Sequence, residues 1–86
     1  MGIKIAKNLT WRKLDGEIIL LDLTKGDYFA LRGSAIDTWE LLLQTKNKDK
    51  IIKGVASKYG IDTSKCRKDV EAFLDSLRKK KFIEFV

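Results

Sequence analysis

The chain has no histidine, no proline and a single cysteine, Cys66, among its 86 residues. Without histidine there is no imidazole to serve as a base or metal ligand near neutral pH. One cysteine cannot close an internal disulfide. With no Cys or His partner, and with a place in a helical stripe, Cys66 is a poor nucleophile too. No glycine-rich loop resembles a phosphate cradle, and the carboxylates are scattered over helix surfaces and a turn. No catalytic residue, no metal and no cofactor are therefore expected. No run of about 18 apolar residues occurs, so no membrane contact by a spanning helix is expected. Met1 to Leu9 is too short and too charged for a signal peptide. The simplest location is cytoplasmic.

What is present suits one small folded domain. Hydrophobic residues make up 44%, enough for a packed core and too many for disorder. Long apolar side chains (Trp11, Phe29, Trp39, Phe73, Phe82) are expected to do much of the burying. The formal charge is +6, unevenly spread. Residues 1–45 hold six Lys/Arg and six Asp/Glu, whereas the rest hold twelve basic and six acidic residues. A basic helical half suits an acidic partner: a carboxylate-rich peptide, a protein face or nucleic acid. A lysine-rich soluble surface is the bland alternative.

Thr10–Leu14 alternates weakly and reads as a strand. Asp15-Gly16 is a two-residue hairpin signal, because a type I′ turn needs positive φ. Glu17–Leu23 reads as the central strand, apolar on both faces except at its ends. Thr24–Gly26 makes a second turn, and Asp27–Leu31 is a third strand at the edge. Ser34 is placed to cap a helix whose stripe is Ala35, Ile36, Trp39, Leu42 and Leu43, with Asp37 imitating a capping box. A second helix is expected over Asp49–Tyr59, stopped by Gly60. Gly54 within it suggests close packing. Asp62 or Thr63 caps a third helix, Ser64 to about Lys79, with Cys66, Val70, Phe73, Leu74 and Leu77 on its core face. Arg67–Glu71 and Asp75–Lys79 are i,i+4 pairs. Phe82–Val86 forms a short strand or a tail packed on the core. The fold class is α+β: a three-stranded antiparallel meander followed by three helices, similar to a winged helix-turn-helix with the strands first.

Trp11, Leu14-Asp-Gly-Glu17, Leu20-Leu-Asp-Leu23, Gly26, Tyr28-Phe29, Leu31 and Trp39-Glu-Leu-Leu42 together resemble the PqqD-like family. Ile51-Ile52, Tyr59 followed by Ile61-Asp62, and Val70 with Phe73-Leu74 and Leu77 extend the likeness from about Trp11 to Ile83. The family comprises leader-peptide recognition elements for ribosomally made, modified peptides. In length the chain is similar to the stand-alone leader-binding protein of split lasso-peptide systems. The resemblance implies binding of a precursor leader, which adds as an antiparallel strand to the third strand and lies against the third helix. It also implies presentation of that precursor to a leader peptidase or other maturation enzyme. One departure is Leu31-Arg32-Gly33, where the family often has a small residue or Asn.

Read onto these residues, Asp27, Tyr28, Phe29, Ala30 and Leu31 supply the docking strand, whose main chain pairs regardless of sequence. No proline blocks that edge. Cys66, Asp69, Val70 and Phe73 lie on one side of the third helix and supply the opposing wall. Lys65 or Lys68 is expected to pair with an acidic leader residue. The bland alternatives are an edge capped by Phe82–Val86, a wall that is only core, and a solvated helix start. The same edge would also serve a homodimer. The competing function is a winged-helix nucleic-acid-binding domain, since the helical half is basic. Asp69, Glu71 and Asp75 on the third helix speak against it, as does the lack of Asn or Gln there for base reading.

Overall fold

The computed structural model describes residues 2–86. Its elements are β1 (Ile3–Ile5), β2 (Leu9–Leu14), β3 (Glu17–Asp22), β4 (Tyr28–Leu31), α1 (Ser34–Thr45), α2 (Lys48–Tyr59), α3 (Thr63–Lys79) and β5 (Ile83–Phe85). The expected three-stranded sheet is present with order β2-β3-β4, both pairs antiparallel. Asp15 and Gly16 both take positive φ (40° and 79°), as a type I′ turn requires. That turn sets Leu14 opposite Glu17, and the register of the sheet follows from it.

The sequence reading gave no element to the segment before Thr10. In the structure Ile3–Ile5 is a strand, and it pairs antiparallel with β5 as a separate two-stranded ribbon. Phe82–Val86 is thus a strand, but its partner is β1 and not the meander. Three residues are too few for a period to declare itself.

Burial along β3 alternates. Ile18, Leu20 and Asp22 are buried, while Ile19 and Leu21 are only half-buried. The expectation of two apolar faces is therefore corrected: the helices cover one face of the sheet, and the other stays open to solvent. Trp39, Leu20, Leu42, Leu74, Leu77 and Phe82 are fully buried, each contributing about 1.5–3 kcal/mol of apolar burial. Trp11 is 40% exposed and meets Trp39 edge-to-face, with ring centroids 5.3 Å apart.

Three local expectations change. Ser34 is the first residue of α1 and not its cap. Gly33 holds the cap position with a positive φ of 58°, and no side chain caps the helix. Asp37 closes no capping box, because its carboxylate is taken by Lys58 and Tyr59 of α2. Of the two i,i+4 pairs, Asp75–Lys79 forms at 3.3 Å. Arg67 and Glu71 turn to α2 instead, pairing with Asp49 at 3.7 Å and Lys48 at 2.5 Å. Interhelical partners are in reach and outcompete the shorter loop. α2 begins one residue early, at Lys48, capped by Asn47, and Gly60 ends it in the left-handed conformation. A Cβ on Gly54 would lie 2.7 Å from Leu41 Cδ1, the close α1–α2 approach that this glycine suggested.

Asp22 organises the turn that launches β4. Its Oδ1 accepts from the Lys25 and Thr24 backbone N–H groups and from Asn8 Nδ2. Those bonds, led by the one from Lys25, hold its carboxyl below the usual carboxylate range. Asp22→Ala is expected to lower the thermal midpoint by several degrees. In the native protein the depressed value adds stability that is complete above about pH 4. It is lost as pH falls through the folded value, so Asp22→Ala should also flatten the acid side of a stability-against-pH curve. Thermal melts from pH 2 to 7 check both expectations.

Candidate functional site: the free edge of β4 and the cavity beside it

β4 is the last strand of its sheet, and β5 does not cover it. The Asp22 N–H donates to the Asp27 carbonyl at 2.8 Å. With Leu21 opposite Tyr28, Leu20 opposite Phe29, Ile19 opposite Ala30 and Ile18 opposite Leu31, antiparallel alternation fixes the rest. Phe29 and Leu31 turn their N–H and C=O groups to β3. Tyr28 and Ala30 turn theirs outward. The open edge therefore offers two donor–acceptor pairs, on Tyr28 and Ala30. Asp27 lies before the strand, exposed, with its carbonyl occupied by β3.

The side chains alternate in the other sense. Leu31 is buried and Phe29 half-buried against the core, on the face that the helices cover. Tyr28 is 69% exposed on the opposite face. Lys80 Nζ, just past the end of α3, sits 5.6 Å over the Phe29 ring, close enough for a cation–π contact.

Where the chain leaves β4 for α1, three helices enclose a cavity of about 370 Å³. Ser34, Ala35 and Thr38 line it from α1, and Val55 and Tyr59 from α2, with Ile61 just beyond. Cys66, Asp69, Val70 and Phe73 line it from α3. All four wall residues expected on α3 thus come together, at i, i+3, i+4 and i+7. Cys66 and Val70 are almost fully buried, Phe73 is half-buried and Asp69 is exposed. The Cys66 thiol points into the protein and donates to the Ile52 carbonyl at 3.5 Å. Burial, with a smaller effect of Asp69, raises its pKa, so it stays a neutral thiol. Lys65 and Lys68 are exposed at the same end of α3, outside the cavity lining, and neither has a carboxylate within 4 Å among the described residues.

Sequence reasoning missed the opposite wall. Tyr59 and Ile61 are not among the site residues expected from the sequence, yet they line the cavity and are 46% and 42% exposed. Tyr59 is held at the rim by its hydroxyl, which donates to Asp37 Oδ2, while Lys58 reaches Asp37 Oδ1 at 2.5 Å. The Lys58 bond and then the Tyr59 bond hold the Asp37 carboxyl low, and the Asp37 carboxylate raises the Tyr59 pKa. No local pattern marks this wall, because only the packing of α1 on α2 brings Tyr59 to Asp37. The cavity offers apolar walls with a few polar groups at the rim and no convergent acid–base pair. Among the described residues no group of three or more Cys, Asp or Glu side chains is placed to hold a metal ion. No helix among them is long and apolar enough to cross a membrane.

Comparison with known proteins agrees with this architecture. TbiB1 in complex with the TbiA(beta) leader peptide superposes with a TM-score of 0.88 at 29% identity, over 96% of each chain. Lasso peptide synthetase B1 complexed with the leader peptide also gives a TM-score of 0.88, at 19% identity. That match covers 99% of this chain and 100% of the other, and at such identity it speaks for the fold alone. No curated protein sequence matches the chain. Residues 17–83 match the family model of coenzyme PQQ synthesis protein D (PqqD). With its strands, helices and open edge as described, the chain belongs to the PqqD family.

Proposed function

We propose that this domain binds the leader of a ribosomally made precursor peptide, in lasso-peptide biosynthesis, and catalyses nothing itself. The leader adds as an antiparallel strand to β4, pairing with the outward main chain of Tyr28 and Ala30. Its residues opposite Phe29 and Leu31 direct their side chains to the helix-covered side, where Cys66, Asp69, Val70 and Phe73 form the wall. Backbone pairing fixes register and the apolar wall selects the visitor. Lys65 or Lys68 pairs with an acidic leader residue, an exposed contact that adds about 0–1 kcal/mol. Asp27 marks the entry to the strand. The bound precursor is then handed to a leader peptidase or other maturation enzyme in the cytoplasm. The observation that carries this reading is the uncovered edge of β4, followed in the chain by an α1 first turn that lines an apolar cavity with the expected wall of α3, and the leader complex of TbiB1 supports it.

The test is a polarisation titration with a labelled leader segment of a lasso precursor peptide. Phe29→Ala should weaken binding about tenfold, from roughly 1.4 kcal/mol of lost apolar contact. Raising salt should weaken binding only mildly. A steep salt dependence, with duplex DNA binding in place of the leader, would favour the winged-helix nucleic-acid alternative. A concentration-dependent dimer that the leader disperses would show that a second copy uses the same edge.

A further inference from the structure

A second concave site lies away from the α1–α3 cavity, where the β1–β5 ribbon meets the end of α3. The cleft holds about 450 Å³ and gathers Lys4, Lys7, Arg78 and Lys81 around Ile83, with Glu84 as its one carboxylate. Glu84 stands opposite Lys4 in the ribbon. Arg78 is engaged by Asp75 at 2.5 Å. Lys4, Lys7 and Lys81 are exposed, and none has a carboxylate within 4 Å among the described residues.

The helix dipole accounts for some of these charges, because cations suit a helix C-terminus. It does not account for Lys4 and Lys7, which come from the ribbon. Nor does it account for the backbone of Lys81. After α3 the Phe82 N–H donates to the Leu77 carbonyl at 3.0 Å and the Lys81 N–H to the Arg78 carbonyl at 2.9 Å. That pair of bonds is a Schellman motif, whose left-handed position normally holds glycine. Here it holds Lys81, at φ 63°. Lysine also holds the left-handed position after α1, at Lys46, so the backbone alone marks no site; the convergence of Lys81 with two more unpaired lysines on an apolar cleft is what distinguishes this end of α3.

We propose that this cleft docks a carboxylate-rich segment of a protein partner. Its apolar residues Ile5, Ala6 and Ile83 beside the lysines suit acidic side chains interleaved with aliphatic ones. A duplex phosphate backbone presents charge with no aliphatic groups to meet them. The proposal is independent of leader binding at β4.

The test uses the whole domain, labelled with ¹⁵N, titrated with a hexaglutamate peptide, a hexaglutamine control and a duplex DNA. Hexaglutamate is expected to shift the amides of Lys4, Lys7, Lys81 and Glu84, hexaglutamine to leave them in place, and about 0.3 M salt to remove the effect. Lys7→Gln and Lys81→Gly should each weaken binding by about two- to fivefold. Lys81→Gly should at the same time raise the thermal midpoint, so lost binding cannot be lost folding. Shifts spread evenly over all lysines, unchanged affinity in both variants, or tighter binding of the duplex at this cleft would overturn the proposal. The β4 amides in the same spectra report on the leader site, so failure at one site is distinguishable from failure at the other.

Discussion

Ala30→Pro is expected to weaken peptide addition at β4 by about 5- to 150-fold and leave the domain folded. The Ala30 N–H faces away from β3, by the alternation that the Asp22–Asp27 bond sets. Proline at that position removes no bond of the native sheet, and an edge strand tolerates it. The incoming strand, however, loses a donor and meets the ring. A buried carbonyl left without a partner costs about 1–3 kcal/mol, or about 5- to 150-fold in affinity. The same change one residue earlier, Phe29→Pro, deletes a bond to β3 and should unfold the sheet. The contrast between neighbours is the diagnostic result. Titration by fluorescence polarisation, paired with circular dichroism melts, reads both halves. Full leader affinity in a folded Ala30→Pro variant would exclude strand addition at this edge.

Val70→Asp is expected to unfold the protein and so cannot serve as a binding probe. From the sequence Val70 reads as one wall of the leader groove, which an aspartate would spoil without harm to the fold. In the structure it lines the cavity but is only 2% exposed, and it belongs to the core cluster. An unpaired carboxylate there costs about 3 kcal/mol or more. A domain of this size has only about 4–13 kcal/mol in total. The thermal midpoint should fall by about 12–24 °C, or the transition should disappear. Asp69→Ala, one residue away and exposed, should change stability by less than about 0.5 kcal/mol. A cooperative, native-like melt for Val70→Asp would show that the α2–α3 contact is looser than described.

These two residues mark how far the sequence could be read. The meander was legible because each signal was local. Asp15-Gly16 forces positive φ, Gly26 closes the next turn, and the apolar runs between them are short. The helices were legible from their stripes and from Gly60 and Asp62 at their ends. β1 was not legible, because Ile3–Ile5 is a strand only by virtue of a partner about eighty residues later. The Asp37–Lys58–Tyr59 cluster was missed for a related reason. Asp37 sits at capping-box spacing, and only the packing of α1 on α2 decides that its partners are elsewhere. For the candidate site, turn signals placed the edge strand, and the family resemblance pointed to the third helix as the wall opposite. They could not say which wall residues are core and which are surface. Cys66 and Val70 proved buried, while Tyr59 and Ile61 proved half-open. Burial depends on where three helix ends converge, and no single stretch of chain encodes that.

The most direct measurement is amide hydrogen exchange of the four β4 residues, with and without leader peptide. In the free protein Phe29 and Leu31 should be protected by β3, while Tyr28 and Ala30 exchange freely. Saturating leader should slow Tyr28 and Ala30 by at least about tenfold, the protection expected of newly bonded amides. If both amides stay fast while the peptide is fully bound, the leader does not pair with this strand and the proposed mode of recognition is wrong.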